Sequence, residues 1–594
     1  MTNLQIAELL RDVAASYQLK DSNKYKFQII AYECAADAVE HATSELKDLW
    51  DDGKLEDVPG IGPSIAEHLG ELFKTGRSKH FDDLMRDIPK EAFKLMELPG
   101  IGIKTAMKLL KEGDKKDIQA KLSEVAQKEK KGKRHLLPYA AMTAGLIIKW
   151  MKKDGNVKKI DPLGSLRRQA STIGDLDLSV ATDEPVEVLI HFTKYPEAQK
   201  IIEKGEISSS IIVPGGIQVD LMVQPVDSYG SLLQHFTGSK HHNIALREYA
   251  LKKGLSLSER GIKKLKVKNQ KLNRFSDEKS FYNFLGMDYI EPELREDTGE
   301  IEAALEHKLP KLVETGDVKG DLQIHSSFDI ETSHDLGVSS MEEIIKKGNE
   351  LGYEYLAFTE HNPSQSGHTE GQIVDILKRK KEVVDKLNEK IRRGRLRETS
   401  DGHSEKVDQL NYSIMKGNSR LRETSASQVK KVFNSLEIDM KSDGSLPVPE
   451  EGLKFLDFAL VSIHSSFDME RKLQTKRVLA ALANPKVKIF AHPTGRKLNE
   501  REGAELNWPE IFDFCLKNDK WIEINCDPMR LDLPDTLVRE AVKLGVKLTL
   551  GTDAHHKDGL NNLIFGVSVA RRGWAEARDI VNTRSLKEFE EMIR

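Results

Sequence analysis

The chain has 594 residues, enough for about four domains of roughly 150 residues each. Its 91 basic and 95 acidic residues leave a formal net charge of −4, which excludes a uniformly basic coat as the means of holding a polyanion, so any such grip must come from local patches. The cysteines Cys34, Cys515 and Cys526 form no C-x-x-C pair, no run approaches a membrane-spanning length, and Met1-Thr2-Asn3 opens no basic-then-apolar leader; a soluble cytoplasmic protein without a disulfide framework or cysteine zinc site is expected.

Helical periodicity dominates the first 130 residues or so. Within it lies a repeat at an offset of 40 residues. Val58-Pro59-Gly60-Ile61-Gly62 is followed by Ile65, Ala66 and Leu69, and Leu98-Pro99-Gly100-Ile101-Gly102 by Ala106, Leu109 and Leu110. Pro-Gly-Ile-Gly ahead of a helix makes a tight interhelical hairpin. Its glycines let backbone approach a phosphate, and the following helix N-terminus favours the anion. Each copy resembles the helix-hairpin-helix motif, a sequence-independent grip on the DNA backbone, which marks Gly60, Gly62, Gly100, Gly102 and Lys104 as candidate DNA contacts. A single copy would read equally well as an ordinary turn. Lys128 to Arg134 is a dense basic run, suited to a solvated linker or to phosphates.

Gly164-Ser165-Leu166-Arg167-Arg168 comes next, then Gly174-Asp175-Leu176-Asp177, and later Val219-Asp220-Leu221. Asp175 and Asp177 are two apart in a run that alternates acidic and apolar, so on a strand they share a face. Asp220 lies in a second strand-like run, Ile217 to Val223. Three carboxylates suit Mg²⁺, which takes hard oxygen ligands and leaves room for phosphate oxygens. Gly164 and Ser165 offer N–H groups and a hydroxyl to a phosphate, and the arginines add charge. The combination points to two-metal nucleotidyl transfer; the alternative is three surface aspartates beside a glycine turn.

From Gly320 the pattern changes to short apolar runs that end in polar residues and alternate with helical stretches. The runs are Gly320 to His325, Tyr355 to His361, Leu436 to Asp439, Leu460 to His464, Ile489 to Pro493, Ile522 to Asn525 and Leu548 to His555. Side chains at the C-terminal ends of parallel strands converge on one mouth of an α/β barrel. Imidazoles and carboxylates gathered there suit several Zn²⁺ or Mn²⁺ ions. Between the second and third runs, Arg395 to Ser400 recurs as Arg420 to Ser425, at a spacing of 25, inside a polar segment, 392–427, that reads as a loop insertion.

On these motifs the whole chain resembles the bacterial and archaeal family X DNA polymerases, polymerase beta-like enzymes that carry a C-terminal PHP domain. The resemblance implies a multidomain α+β core followed by a PHP α/β barrel, a distorted (β/α)₇. Its expected divisions are a helical N-terminal domain, 1–88, with the first hairpin, fingers, 89–145, with the second, a palm, 146–228, a thumb, 229–296, a linker, 297–318, and the PHP domain, 319–594. It implies that Ser165 and Arg168 hold a triphosphate and that Phe236-Thr237-Gly238-Ser239 shapes the sugar pocket. Asn243 and Arg247 would meet the base and the template. His235 stands where the family has tyrosine, so the wall that excludes a ribose 2′-OH is expected to differ. His68 stands at the lysine that forms the Schiff base with an abasic sugar, and Ser64 at a phosphate-binding lysine. Imidazole forms no productive Schiff base, so lyase activity is not expected unless Lys74 or Lys79 substitutes.

For the PHP half the resemblance implies His325, His361, Glu437 (the bridging ligand), His464, His492, Asp553 and His555 as metal ligands, with 3′-5′ exonuclease and often abasic-site endonuclease activity. Two usual ligands are missing: Gln323 replaces a histidine and Ile330 an acid, with Asp329 one place early. The first motif reads Asp321-Leu322-Gln323-Ile324-His325, and the second has Glu360 in Thr359-Glu360-His361. A carbonyl oxygen is a poor substitute for imidazole at zinc, so weakened outer metals are expected. The leading expectation is a DNA-directed polymerase filling short gaps in repair, as a monomer on gapped or nicked DNA, with deoxynucleoside triphosphates and Mg²⁺ in the palm and Zn²⁺ or Mn²⁺ in the barrel. The alternatives are a PHP phosphoesterase for a small phosphorylated metabolite, and a DNA-binding scaffold with an inactive PHP domain.

Overall fold

The computed structural model describes residues 3–22, 24–40, 46, 50, 53, 55–58, 60–96, 102–112, 134–265, 272–332, 335–396 and 428–594. Gly100, the basic run at 128–133 and the 397–427 part of the insertion lie outside the described residues. The chain divides into two compact units. One comprises residues 1–134, 196–203 and 210–219; the other comprises 135–195, 204–209 and 220–594. No described helix is long and apolar enough to cross a membrane.

The first unit contains α1 (Asn3–Asp21), α2 (Lys26–Glu40), α3 (Pro63–Thr75), α4 (Lys79–Met85), α5 (Lys90–Met96) and α6 (Ile103–Glu112). Ile6, Leu10, Val13 and Tyr17 recur at helical spacing and bury against Tyr32, Ala35 and Ala36 of α2. Pro63 opens α3, where its missing N–H is no loss, and Gly76 in the left-handed region closes it by donating to the Leu72 carbonyl. Gly60 is required twice over. Its φ is +84°, and a Cβ there would sit 3.1 Å from the Cys34 carbonyl oxygen.

In the second unit α7 (Leu137–Met151) lays an apolar stripe against the strands β1 (Lys159–Pro162) and β2 (Leu176–Ala181). These pair antiparallel, Asp161 opposite Ser179, in a five-stranded sheet in which β2 neighbours β3 (Ile217–Gln224). Three helices follow, α8 (Tyr229–Thr237), α9 (Lys240–Lys252) and α10 (Glu278–Phe284). Ser239 caps α9 and Asp277 caps α10 through their side-chain oxygens. Gly230 on α8 lies so close to Asp277 that a Cβ would meet its carbonyl carbon at 2.2 Å.

A buried ion triad ties this helical segment to the residues ahead of β2. Glu278 accepts from Arg167 and from Arg295, each at 2.6 Å. Burial alone would raise the Glu278 pKa, but the two guanidinium groups overcome it and hold the carboxyl at about 2. A folded-state pKa below the unfolded value contributes stability that is complete above about 4.5 and is lost as pH falls towards 2. Glu278→Ala would leave two buried cations without a counter-ion, and is expected to cost about 3–5 kcal/mol. Urea unfolding at pH 7 and at pH 3 checks both statements: the variant's deficit should shrink at the lower pH.

From Gly320 on, the strands are all parallel and almost wholly buried, as expected for strands covered on both faces. Strands β4 (Gly320–Ile324), β5 (Tyr355–Phe358) and β6 (Lys431–Asn434) form one sheet. Strands β7 (Glu437–Asp439), β8 (Ala459–Ser462), β9 (Val487–Phe490), β10 (Trp521–Asn525) and β11 (Leu548–Gly551) form another. Bridges His361–Glu437 and Ile324–Ala554 join residues at the ends of the two sheets. The ladders register as two sheets linked by these bridges and not as one continuous closed sheet. The expected strand Leu436 to Asp439 is the second half of a run broken at Ser435. There the fully buried Lys380 of α11 (Glu370–Arg392) donates to the carbonyls of Phe358 and Ser435 while pairing with Glu360 at 2.5 Å. Glu360 of the second motif thus serves a buried ion pair. Leu322, Tyr355, Phe433, Phe458, Trp521 and Phe589 fill the core.

Candidate functional site

Asp175 stands one residue before β2, Asp177 within it and Asp220 on β3. One oxygen from each lies within 4.8 Å of the other two. Burial, then the charges of Asp175 and Asp220, push Asp177 up to about 7. Three carboxylates packed this closely repel one another unless a cation joins them, so the donor set fits Mg²⁺. Gly164 belongs to this cluster for a steric reason: its φ is +55°, and a Cβ would meet Asp177 Oδ2 at 2.6 Å.

The raised Asp177 pKa carries a prediction. Below about 7 the carboxyl holds a proton that a bound cation must displace. Mg²⁺ affinity should therefore fall as pH drops from 8 to 6, approaching about tenfold per unit at the lower end. Calorimetry at pH 6 in buffers of different ionisation heat should detect proton release that Asp177→Asn abolishes.

Arg168 turns towards α8. Its Nη1 donates to the Thr237 carbonyl at 2.5 Å and its Nε to Glu296 Oε1 at 2.9 Å. Gly238 leaves room for it, since a Cβ there would sit 3.1 Å from Arg168 Nη1. Ser165 lies on the turn Gly164–Arg167. Phe236 packs edge-on against His235 at 4.8 Å. Asn243 donates to the His235 carbonyl at 2.7 Å, and Arg247 Nη2 lies 3.3 Å from His235 Nδ1. Burial, then Arg247, lowers the His235 pKa, so the ring facing Arg247 is neutral near pH 7. Of the candidate nucleotide residues, Arg168, Phe236, Gly238 and Asn243 thus lie around the start of α9.

In the first unit Gly62 caps α3 and Gly102 precedes α6; among the described residues no atom lies within 4 Å of a Cβ placed on either. Lys104 on α6 lies 3.4 Å from Ser22 Oγ. His68 stacks on His80 at 4.1 Å, and His80 Nε2 lies 2.9 Å from the Tyr17 hydroxyl.

The second cluster is built from strand ends. His325 Nε2 lies 3.1 Å from Asp553 and 3.3 Å from Glu437. His492 Nε2 is 2.7 Å and His464 Nε2 3.4 Å from Glu437 Oε1, so Glu437 is the shared centre. His325, His361 and His555 form one potential metal triad and His361, Glu437 and His464 another. Burial opposes the ionisation of Glu437, yet His361 and His492 hold it well below the usual carboxylate range. His555 Nε2 and His492 Nδ1 are buried without a hydrogen-bond partner, which fits a metal-binding set. Gln323 Nε2 instead donates to Glu437 Oε2 at 2.7 Å. Ile330 is fully buried, and Asp329 is exposed and accepts from the Glu331 N–H.

Sequence reasoning missed several neighbours. Asp439 accepts from His464 Nδ1 at 2.7 Å. Its signal was present, because Glu437-Ile438-Asp439 is the same acid-apolar-acid alternation as Asp175-Leu176-Asp177. Asn525, against Asp553, closes the run Ile522 to Asn525 without having been named as a ligand, and Arg530, also against Asp553, gave no signal.

Residues 232–296 match the family model DNA polymerase beta thumb, and residues 1–78 match Helix-hairpin-helix domain. The chain is similar to DNA polymerase/3'-5' exonuclease PolX of Bacillus subtilis (strain 168), 29% identical over 619 residues that cover 100% of both chains. It is 25% identical to DNA polymerase lambda of Rattus norvegicus over 334 residues, 50% of this chain and 56% of that one. A probable phosphatase of Thermoanaerobacter sp. (strain X514) is 29% identical over 136 residues, 21% of this chain and 52% of that one. The three-aspartate cluster thus stands ahead of the segment that matches the polymerase beta thumb. Over its full length the chain is thus similar to a DNA polymerase/3'-5' exonuclease, and over half of it to a second DNA polymerase.

Proposed function

We propose that this DNA-directed DNA polymerase fills short gaps during DNA repair, and that its C-terminal half is a PHP metallo-phosphoesterase domain with weakened nuclease capacity. The observation that carries the polymerase reading is the Asp175, Asp177 and Asp220 cluster ahead of a segment matching the beta thumb. PolX and polymerase lambda are both named as DNA polymerases, and PolX also as a 3′-5′ exonuclease. The divisions 1–88, 89–145, 146–228, 229–296, 297–318 and 319–594 belong to this proposal, as does a distorted (β/α)₇ barrel in the last of them.

In this reading the three aspartates hold Mg²⁺, which when bound supplies the charge that activates a primer 3′-OH and neutralises the departing pyrophosphate. The chain's own part is positioning. Gly164 brings backbone close to the metal ligands, and Ser165 offers its hydroxyl and N–H to the triphosphate. Arg168 supplies a fixed positive charge beside them. Phe236 and Gly238 border the sugar, Asn243 the base and Arg247 the template. Gly60, Gly62, Gly100, Gly102 and Lys104 grip the DNA backbone. Primer extension on DNA with a one-nucleotide gap tests the reading; it should require Mg²⁺ and stop when the gap is filled. No template-dependent extension would leave the scaffold alternative.

In the barrel, His325, His361, Glu437, His464, His492, Asp553 and His555 would hold Zn²⁺ or Mn²⁺, which supplies an activated hydroxide for phosphoester hydrolysis. At the lyase position the chain presents imidazoles: His68 stacks on His80 beside Tyr17. Borohydride trapping on an incised abasic site should give little adduct. A strong adduct that vanishes on mutating Lys74 or Lys79 would restore the lyase.

A further inference from the structure

Arg572 ends α13 (Leu563–Arg572), a helix of the C-terminal half, yet it reaches the nucleotide pocket of the polymerase half. Its Nη1 donates to the Arg168 carbonyl at 2.8 Å and to Glu296 Oε1 at 2.9 Å. The same carboxylate oxygen accepts from Arg168 Nε at 2.9 Å, so one glutamate oxygen joins two guanidinium groups. Arg572 is itself anchored, its Nε donating at 2.7 Å to Asp535, the first residue of α12 (Asp535–Leu544). Its side chain is 9% exposed and that of Arg168 14% exposed, so water competes poorly for these bonds. Beside it, Arg571 pairs with Glu293 at 2.8 Å, both side chains being buried.

We propose that Arg572 is a positioning residue for nucleotide binding: from the C-terminal half it fixes both the backbone and the side-chain partner of Arg168. The inference rests on the reading of Arg168 as a triphosphate-holding residue. Arg168 has rotatable bonds enough to lose the pocket. Two contacts restrict it, the Thr237 carbonyl and Glu296, and Glu296 is held in place by Arg572. A guanidinium can donate to the carbonyl and the carboxylate together while keeping Nε on Asp535. An ammonium, as a compact point charge, cannot span all three. The C-terminal half is thereby part of the polymerase pocket as well as the carrier of its own metal cluster.

The test is steady-state extension on gapped DNA with the full-length chain. Arg572→Ala should raise the KM for the incoming nucleotide about tenfold while kcat changes little, as expected when a binding group is misplaced but chemistry is intact. Arg572→Lys should recover part of the loss. Asp535→Asn, which loosens only the anchor, should shift KM in the same direction by less and serves if Arg572→Ala fails to fold. Arg168→Ala should also raise KM, and Arg572→Ala added to it should have no further effect, because the two act as a unit. If Arg168→Ala alone leaves KM unchanged, the reading of Arg168 is wrong. If Arg168→Ala raises KM but Arg572→Ala does not, or if the two effects multiply, the positioning role is overturned.

Discussion

Asp177→Ala is expected to abolish gap filling while leaving the affinity for gapped DNA nearly unchanged. The loss should exceed about 10³-fold, since even one preorganised electrostatic donor contributes about 10²–10³. Asp177 is the middle of the three carboxylates, the one whose pKa is pushed to about 7 by burial and by its two neighbours. Removing it relieves repulsion as well as a ligand, so the fold should be retained or slightly stabilised without metal. DNA affinity should persist because the hairpin segments lie elsewhere in the chain, around Gly60–Gly62 and Gly102–Lys104. Asp220→Ala should behave alike. Extension at near the unmodified rate, with affinity measured by fluorescence anisotropy, would show the cluster to be misassigned.

Restoring two metal ligands in the C-terminal half should have the second large effect. Gln323→His with Ile330→Asp is expected to raise bound metal per chain and 3′-end degradation together, with extension unaffected. At present Gln323 donates to Glu437, satisfying with an amide an oxygen that a metal would use, and Ile330 contributes a buried apolar side chain. Metal affinity should improve by at least the roughly tenfold to hundredfold lost when a group merely hydrogen-bonded to a ligand is removed. The unmodified chain should need high Mn²⁺ and degrade 3′ ends slowly. Brisk degradation by the unmodified chain, lost in His464→Ala, would mean that the remaining seven ligands suffice. Metal content by mass spectrometry gives a readout independent of activity.

The two predictions differ in how visible their residues are in the chain. The local patterns were sufficient for the aspartate cluster: an i, i+2 pair of aspartates needs only extended backbone to share a face, and Ile217 to Val223 lies in the strand expected for Asp220. The hairpin at Gly60 is equally local, because a positive φ and a close backbone approach both demand glycine. In the C-terminal half, six of the seven expected ligands stand at or just beyond a strand end and Glu437 opens the short β7. The break at Ser435 was not visible, since it follows from Lys380, more than 50 residues earlier, donating to that carbonyl.

What the sequence by itself determined is therefore the set of chemical groups and their local periodicity: three aspartates, a Gly-Ser-x-Arg-Arg run, a repeated Pro-Gly-Ile-Gly motif and a series of apolar runs ending in histidine or acid. These depend on neighbours within a few residues, where chain geometry alone sets direction. Tertiary structure decided which distant charges share a partner. Arg167 and Arg295 meet at Glu278, Asp439 meets His464, and Arg572 reaches Arg168 across 404 positions of sequence. A buried charge must find a counter-charge wherever the fold brings one within reach, and no local pattern records where that will be.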